Sequence, residues 1–203
     1  ALGGMSRINR AFQSCYLGKK NTEFDFINLI NDASVDYSRY IFFYINYLLK
    51  KKRVNEANII IEKHTDVLEN HLLLDQTKYW TDNGKVDQIT KIFDCQKPKH
   101  LVSEFFYLIA NLYSSEELYN KSNFYLNLSL YFNPKFETNT ALLAENFFQM
   151  KKYNKSKKIY ENFDNKNFVF YWHAVKRITL INKKISNEKI AINFLENNFN
   201  QIE

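Results

Sequence analysis

The chain has 203 residues, 45% hydrophobic and 17% aromatic, with only four glycines and two prolines. That balance leaves little material for strand hairpins or flexible linkers, so it excludes a loop-rich or disordered chain and favours helices around a sizeable core. The net charge of +6 is spread over short lysine runs (Lys50 to Arg53, Lys151-Lys152, Lys157-Lys158, Lys183-Lys184) and does not gather in one block. Such runs suit solvated turns and helix ends better than a nucleic-acid footprint.

In chain order, Ile8, Phe12 and Cys15 form one stripe of a helix from Met5 to Leu17, which Gly18 ends. Thr22 is placed to cap a second helix, Glu23 to Asn31, with Phe26, Ile27 and Ile30 inward. Asp36 is placed to cap a third, from Tyr37 to about Lys51, whose apolar residues Tyr40, Ile41, Phe43, Tyr44, Ile45, Tyr47 and Leu48 go almost all the way round. A helix of that kind needs neighbours on several sides. Val54 to His64 returns antiparallel, with Ala57 and Ile61 inward. Leu68 to Asp82 follows, with Leu72, Leu73, Gln76, Tyr79 and Trp80 as contacts. Asn83-Gly84 marks its end, and Lys85 to Phe93 is short. Cys95 to Lys99, containing Pro98, reads as irregular.

From Ser103 to Phe170 the chain repeats itself in steps of 34. Ile109 becomes Leu143, Ala110 becomes Ala144, Tyr113 becomes Phe147, Ser122 becomes Ser156 and Leu126 becomes Tyr160. Phe106, Ile109, Ala110 and Tyr113 share one helical stripe. Small residues at Ala110 and Ser122 let two helices approach, and Asn133-Pro134 stops the second of them. Phe168 to Lys183 and Asn187 to Phe199, with Ala191 as its small place, make a last hairpin. The sum is six hairpins and about twelve helices in an all-α chain, read as one domain over 1–203, with 103–136 and 137–170 as the clearest repeats.

These residues resemble the tetratricopeptide (TPR) family, whose 34-residue unit carries a bulky residue, large–small and an aromatic in its first helix. Its second helix carries small–aromatic–small, and proline closes the unit. Phe106, Ile109-Ala110, Tyr113, Ser122, Leu126, Ser129 and Pro134 hold those places, although Phe168 stands at the next proline place. Tyr131-Phe132-Asn133-Pro134-Lys135-Phe136 before a leucine-alanine-glutamate helix is also similar to bacterial multi-repeat TPR proteins of no assigned activity. The resemblance implies a right-handed α-solenoid that binds a protein or peptide in a concave groove. It places Arg39, Phe42, Asn46, Tyr107, Asn111, Glu145 and Phe148 in that groove, with Asn46 and Asn111 bonding a partner's backbone. A carboxylate clamp is not implied, because Phe42 and Tyr107 stand where its first lysine belongs. The alternatives are a structural segment of a longer solenoid, or an RNA-binding helical repeat favoured only by net charge.

Nothing in the sequence points to catalysis, a metal or a cofactor. His64, His71, His100 and His173 lack metal-ligand spacing, and no glycine-rich loop is present to cradle a phosphate. Cys15 and Cys95 have no paired spacing and read as buried small apolar residues, with no disulfide framework. Ser14 and Cys15 have no evident base. Asp25, Glu116 and Glu117 read as solvated or capping acids. Phe105, Phe106, Tyr107, Tyr113 and Phe124 read as core at helical spacing. No apolar run is long enough to span a membrane. The start Ala-Leu-Gly-Gly reads as that of a fragment or processed product, which leaves localisation open, and the apolar last helix (Ile190, Phe194, Leu195, Phe199, Ile202) suggests further helices or dimerisation.

Overall fold

The computed structural model describes residues 2–31, 38–65 and 71–201. Among these there are twelve α-helices and no strand. In order they are α1 Leu2–Tyr16, α2 Thr22–Ile30, α3 Ser38–Lys50, α4 Val54–Thr65, α5 Leu72–Asp82, α6 Val86–Ile92, α7 Pro98–Ser115, α8 Tyr119–Phe132, α9 Glu137–Gln149, α10 Tyr153–Tyr160, α11 Phe168–Ile185 and α12 Glu188–Phe199. The chain divides into two compact units, Ala1–Val102 and Ser103–Glu203, so the division falls within α7, where the sequence reading drew no boundary. The expected cap at Asp36, the expected starts at Tyr37 and Leu68, and Ile202 lie outside the described residues.

The odd-numbered helices α1 to α9 end in the same way. Gly18, Lys52, Gly84, Glu117 and Lys151 have positive φ, and they lie 34, 32, 33 and 34 residues apart. In each case the next amide donates to the carbonyl five residues back: Lys19 to Ser14, Arg53 to Leu48, Lys85 to Trp80, Leu118 to Tyr113, and Lys152 to Phe147. This is the Schellman closure, which satisfies the last carbonyls of a helix through one left-handed residue. Three of those residues carry a Cβ, so at Lys52, Glu117 and Lys151 the turn is held against a left-handed penalty of roughly 1–2 kcal/mol each. The turns also set a common register. Three residues before the accepting carbonyl stand Ala11, Ile45, Thr77, Ala110 and Ala144, and all five are buried.

Unit 1 is built around α3, which packs against α2, α4, α5 and α6 as its all-round apolar surface requires. Phe12 of α1 meets the rings of Phe26, Tyr40, Phe43 and Phe93 at centroid distances of 5.0–6.2 Å. Arg53 pairs with Glu23 through two hydrogen bonds, at 2.5 and 2.9 Å, and joins the start of α4 to α2. Thr22 is the first residue of α2 and not its cap; its hydroxyl donates to the Lys19 carbonyl. Asp25 is not solvated but buried, accepting from Ser14 Oγ at 2.6 Å and Asn21 Nδ2 at 2.8 Å, with Arg10 3.3 Å away. The irregular stretch expected at 95–99 is shorter, because Pro98 opens α7 at the position where a missing amide costs nothing.

Cys15 and Cys95 form a disulfide with a Cα–Cα distance of 5.9 Å, which corrects the reading of two free apolar thiols. It ties the end of α1 to the segment between α6 and α7 and closes a loop of 80 residues. Cross-links over long loops restrict the unfolded chain most.

In unit 2 the repeat places behave as packing places. Ala110, Ser122, Leu126, Leu143, Ala144, Ser156 and Tyr160 are buried. Tyr107, Ala110, Leu126 and Leu143 share one cluster, with Tyr125, Leu142, Phe147 and Ile159 against it. Phe106, Ile109, Tyr113 and Phe147 are half-buried. Pro134 is exposed just past the cap residue Asn133, where it stops α8 without packing.

Two buried polar clusters lace α7, α8 and α9 together. Ser103 and Ser129 exchange hydroxyl-to-carbonyl bonds of 2.7 and 2.8 Å, and Asn139 Nδ2 donates to Ser129 Oγ at 2.8 Å. Asn146 Nδ2 donates to Ser122 Oγ (2.7 Å) and Asn123 Oδ1 (2.9 Å), while its Oδ1 accepts from Ser114 Oγ (2.6 Å). Serine suits these places because a short side chain allows close approach and still supplies a hydroxyl.

Candidate functional surface

The residues that the family resemblance places in a groove separate by unit. In unit 1 they are core. Phe42 has no exposed surface, Arg39 is buried with its guanidinium 5.7 Å from the Phe43 ring centroid, and Asn46 is 2% exposed. Asn46 Nδ2 donates to the Ile89 carbonyl at 2.7 Å and to the Phe93 carbonyl at 3.2 Å. It holds the last turn of α6 against α3 and not the backbone of a partner. In the common register the place of Phe42 is taken by Ile8, Leu74, Tyr107 and Ala141, and every one is buried. That place belongs to the interior throughout, which corrects Tyr107 along with Phe42.

The place of Asn46 is different in unit 2. Asn111 is exposed, and Glu145 is half-buried, as is Phe148 three residues further on. Arg177 of α11, which the sequence reading did not single out, joins these two. Its guanidinium lies 2.5 Å from Glu145 Oε2 and 4.3 Å from the centre of the Phe148 ring. Tyr160 Oη donates to the same carboxylate oxygen at 3.4 Å. No short spacing announces Arg177, because its partners lie on α9 and the contact exists only once α9 and α11 are packed.

Burial together with the positive charge of Arg177 and Lys176 pushes His173 down to about 4, so it is neutral at ordinary pH. Burial and the Glu145 charge push the Tyr160 phenol up, so it stays protonated. The cluster is therefore an Arg177–Glu145 ion pair packed over the Phe148 ring, beside a neutral imidazole and a protonated phenol. Among the described residues no three or more His, Cys, Asp or Glu side chains are grouped to hold a metal. No described helix is long and apolar enough to cross a membrane.

Two aromatic residues that read as core are not. Phe105 on α7 is exposed, and Phe124 on α8 is 60% exposed, with Tyr131 one further double turn along α8 at 81%. Between them runs a half-buried ladder. Phe106 stacks on Tyr125 at 6.1 Å and on Phe132 at 5.8 Å, and Tyr113 stacks on Tyr125 at 5.6 Å. Lys121 lies 5.4 Å from the centre of the Tyr113 ring. Phe124, Leu128 and Tyr131 follow the i, i+4, i+7 spacing of one helical face, so the exposed rings are aligned by the backbone. Each exposed ring meets one ring of the ladder edge-on, Phe124 against Tyr125 and Tyr131 against Phe132, at 5.3 and 5.4 Å.

Glu137 in the first turn of α9 is a half-buried acid of unit 2 whose charge is strongly resisted. Burial, opposed in part by the Asn167 Nδ2 bond to Oε1 (2.9 Å), and the nearby Asp164 charge raise its carboxyl to about 7. A raised folded value means that its contribution is fully present below about 4.5 and is lost as pH climbs through about 7. The wild-type melting temperature is expected to fall over that window, and Glu137→Gln is expected to flatten the fall. Thermal unfolding at a series of pH values checks this; equal slopes for the two proteins would refute it.

Compared with known proteins, the chain matches no family model, no curated protein and no solved structure.

Proposed function

We propose that this is a TPR-like helical-repeat protein, a right-handed α-solenoid, that works as a protein–protein interaction scaffold, with a recognition surface on the α7–α8 hairpin. The carrying observation is the aligned pair of rings on α8, Phe124 and Tyr131, left to solvent above a stacked ladder. Exposed aromatic residues are common anchors of protein interfaces, because they bury much area while losing few rotamers. The buried small places at a 34-residue step and the recurring Schellman turns support the repeat reading. Because Phe42, Asn46 and Tyr107 are buried, the reading draws on α8 and not on the groove of the family pattern.

The test is affinity capture with the full chain, followed by calorimetry on the recovered partner in purified form. Tyr131→Ala is expected to weaken that partner by about tenfold or more, on the order of 2 kcal/mol, with an unchanged circular dichroism spectrum. A partner that binds both proteins equally would show that α8 is not the surface.

A further inference from the structure

The chain holds only two cysteines, and both lie in unit 1, joined to each other. Both are buried, yet both line a pocket of about 120 Å³ whose remaining wall includes Lys19, Thr22, Tyr47, Lys50 and Lys51. Asp94 is paired with Lys50 at 2.8 Å, and Lys19 and Lys51 give the pocket its positive sign. A thiol reductant attacks as its thiolate, an anion that this lysine rim attracts, and the same charge favours the departing cysteine in its thiolate form. The bond is thus shielded from bulk solvent while a lysine-rimmed pocket reaches it.

We propose that Cys15–Cys95 is a redox switch of unit 1 alone: its reduction by a dithiol loosens α1 and the segment between α6 and α7, and unit 2 keeps its structure. The exchange balances. One thiolate of the dithiol attacks a protein sulfur, forms a mixed disulfide and expels the other cysteine, which takes a proton from water. The second thiol of the reagent then displaces the remaining protein sulfur. The reagent leaves as its own disulfide, and two electrons have passed to the two cysteines. What is lost in unit 1 is the side-chain cross-link between α1 and residues 93–97, leaving Phe12 against Phe93, at 5.7 Å, among the noncovalent contacts that bridge the two. Unit 2 contains no cysteine and has nothing to reduce. The fully folded state of the chain is then the one favoured in an oxidising compartment.

The experiment is hydrogen exchange on the full chain with and without dithiothreitol, with free thiols counted in parallel. The oxidised protein should show no free thiol and the reduced protein two. Peptides from α1 and from residues 93–97 should exchange at least tenfold faster after reduction, while peptides from 103–201 do not change. A Cys15→Ser, Cys95→Ser protein should exchange like the reduced wild type and ignore the reductant. Free thiols in the air-oxidised folded protein would overturn the proposal. So would full reduction without faster exchange in unit 1, or equal loss of protection in both units.

Discussion

Replacing Asn146 with leucine is expected to lower the melting temperature of the protein by roughly 10 °C or more. Leucine has the branching and the number of side-chain heavy atoms of asparagine with a larger volume, so the variant leaves no cavity, and its better helix propensity means that the backbone does not supply the effect. The loss comes from the three polar groups that Asn146 serves on two other helices, Ser114, Ser122 and Asn123. Ser122 and Asn123 are buried, and in the variant their oxygens face an alkyl side chain. A buried group left without its partner costs about 1–3 kcal/mol, so the total comes to roughly 3–5 kcal/mol. Adding Ser122→Ala to Asn146→Leu removes one of the stranded hydroxyls and should recover part of the loss, because the two residues are coupled. A melting temperature within about 2 °C of wild type for the single variant would show that the network contributes nothing net.

That network also shows what a sequence can and cannot reveal here. Ala110, Ser122, Ala144 and Ser156 were legible because each recurs at one step of 34 on a helix whose apolar stripe is clear, and all four are buried. The first three hairpins use the same turn, but Ile45 and Thr77 stand at the small place and the turn spacing drops to 32 and 33, so the repeat is blurred in the letters while kept in the backbone. The groove reading of Arg39, Phe42, Asn46 and Tyr107 failed for a tertiary reason. Whether Asn46 meets a partner or a neighbour depends on α6 lying over it, and nothing local to α3 encodes that. The disulfide failed likewise, since contact between residues 80 apart is a property of the fold. On α8, apolar residues occur on every side, so periodicity does not choose which face stays in water, and Phe124 points out where helical spacing puts it in the core.

Ala144→Phe tests the packing register itself. Ala144 has no exposed surface and lies on α9, which packs against α8, α10 and α11. A phenylalanine ring there has no solvent to escape into, and its neighbour Leu143 already belongs to the cluster with Tyr107, Ala110 and Leu126. The helices must separate or side chains must leave their rotamers, at a cost above about 3 kcal/mol where no relief exists. Gln149→Phe places the same ring at an exposed site on the same helix, where there is open space. It should stay within about 0.5 kcal/mol of wild type. Denaturant titration followed by circular dichroism compares the two. A large loss for Ala144→Phe beside a negligible one for Gln149→Phe assigns the cost to close helix approach at the small place. Equal and small effects would mean that α9 can shift to admit a ring, and that the 34-residue step marks composition and not contact.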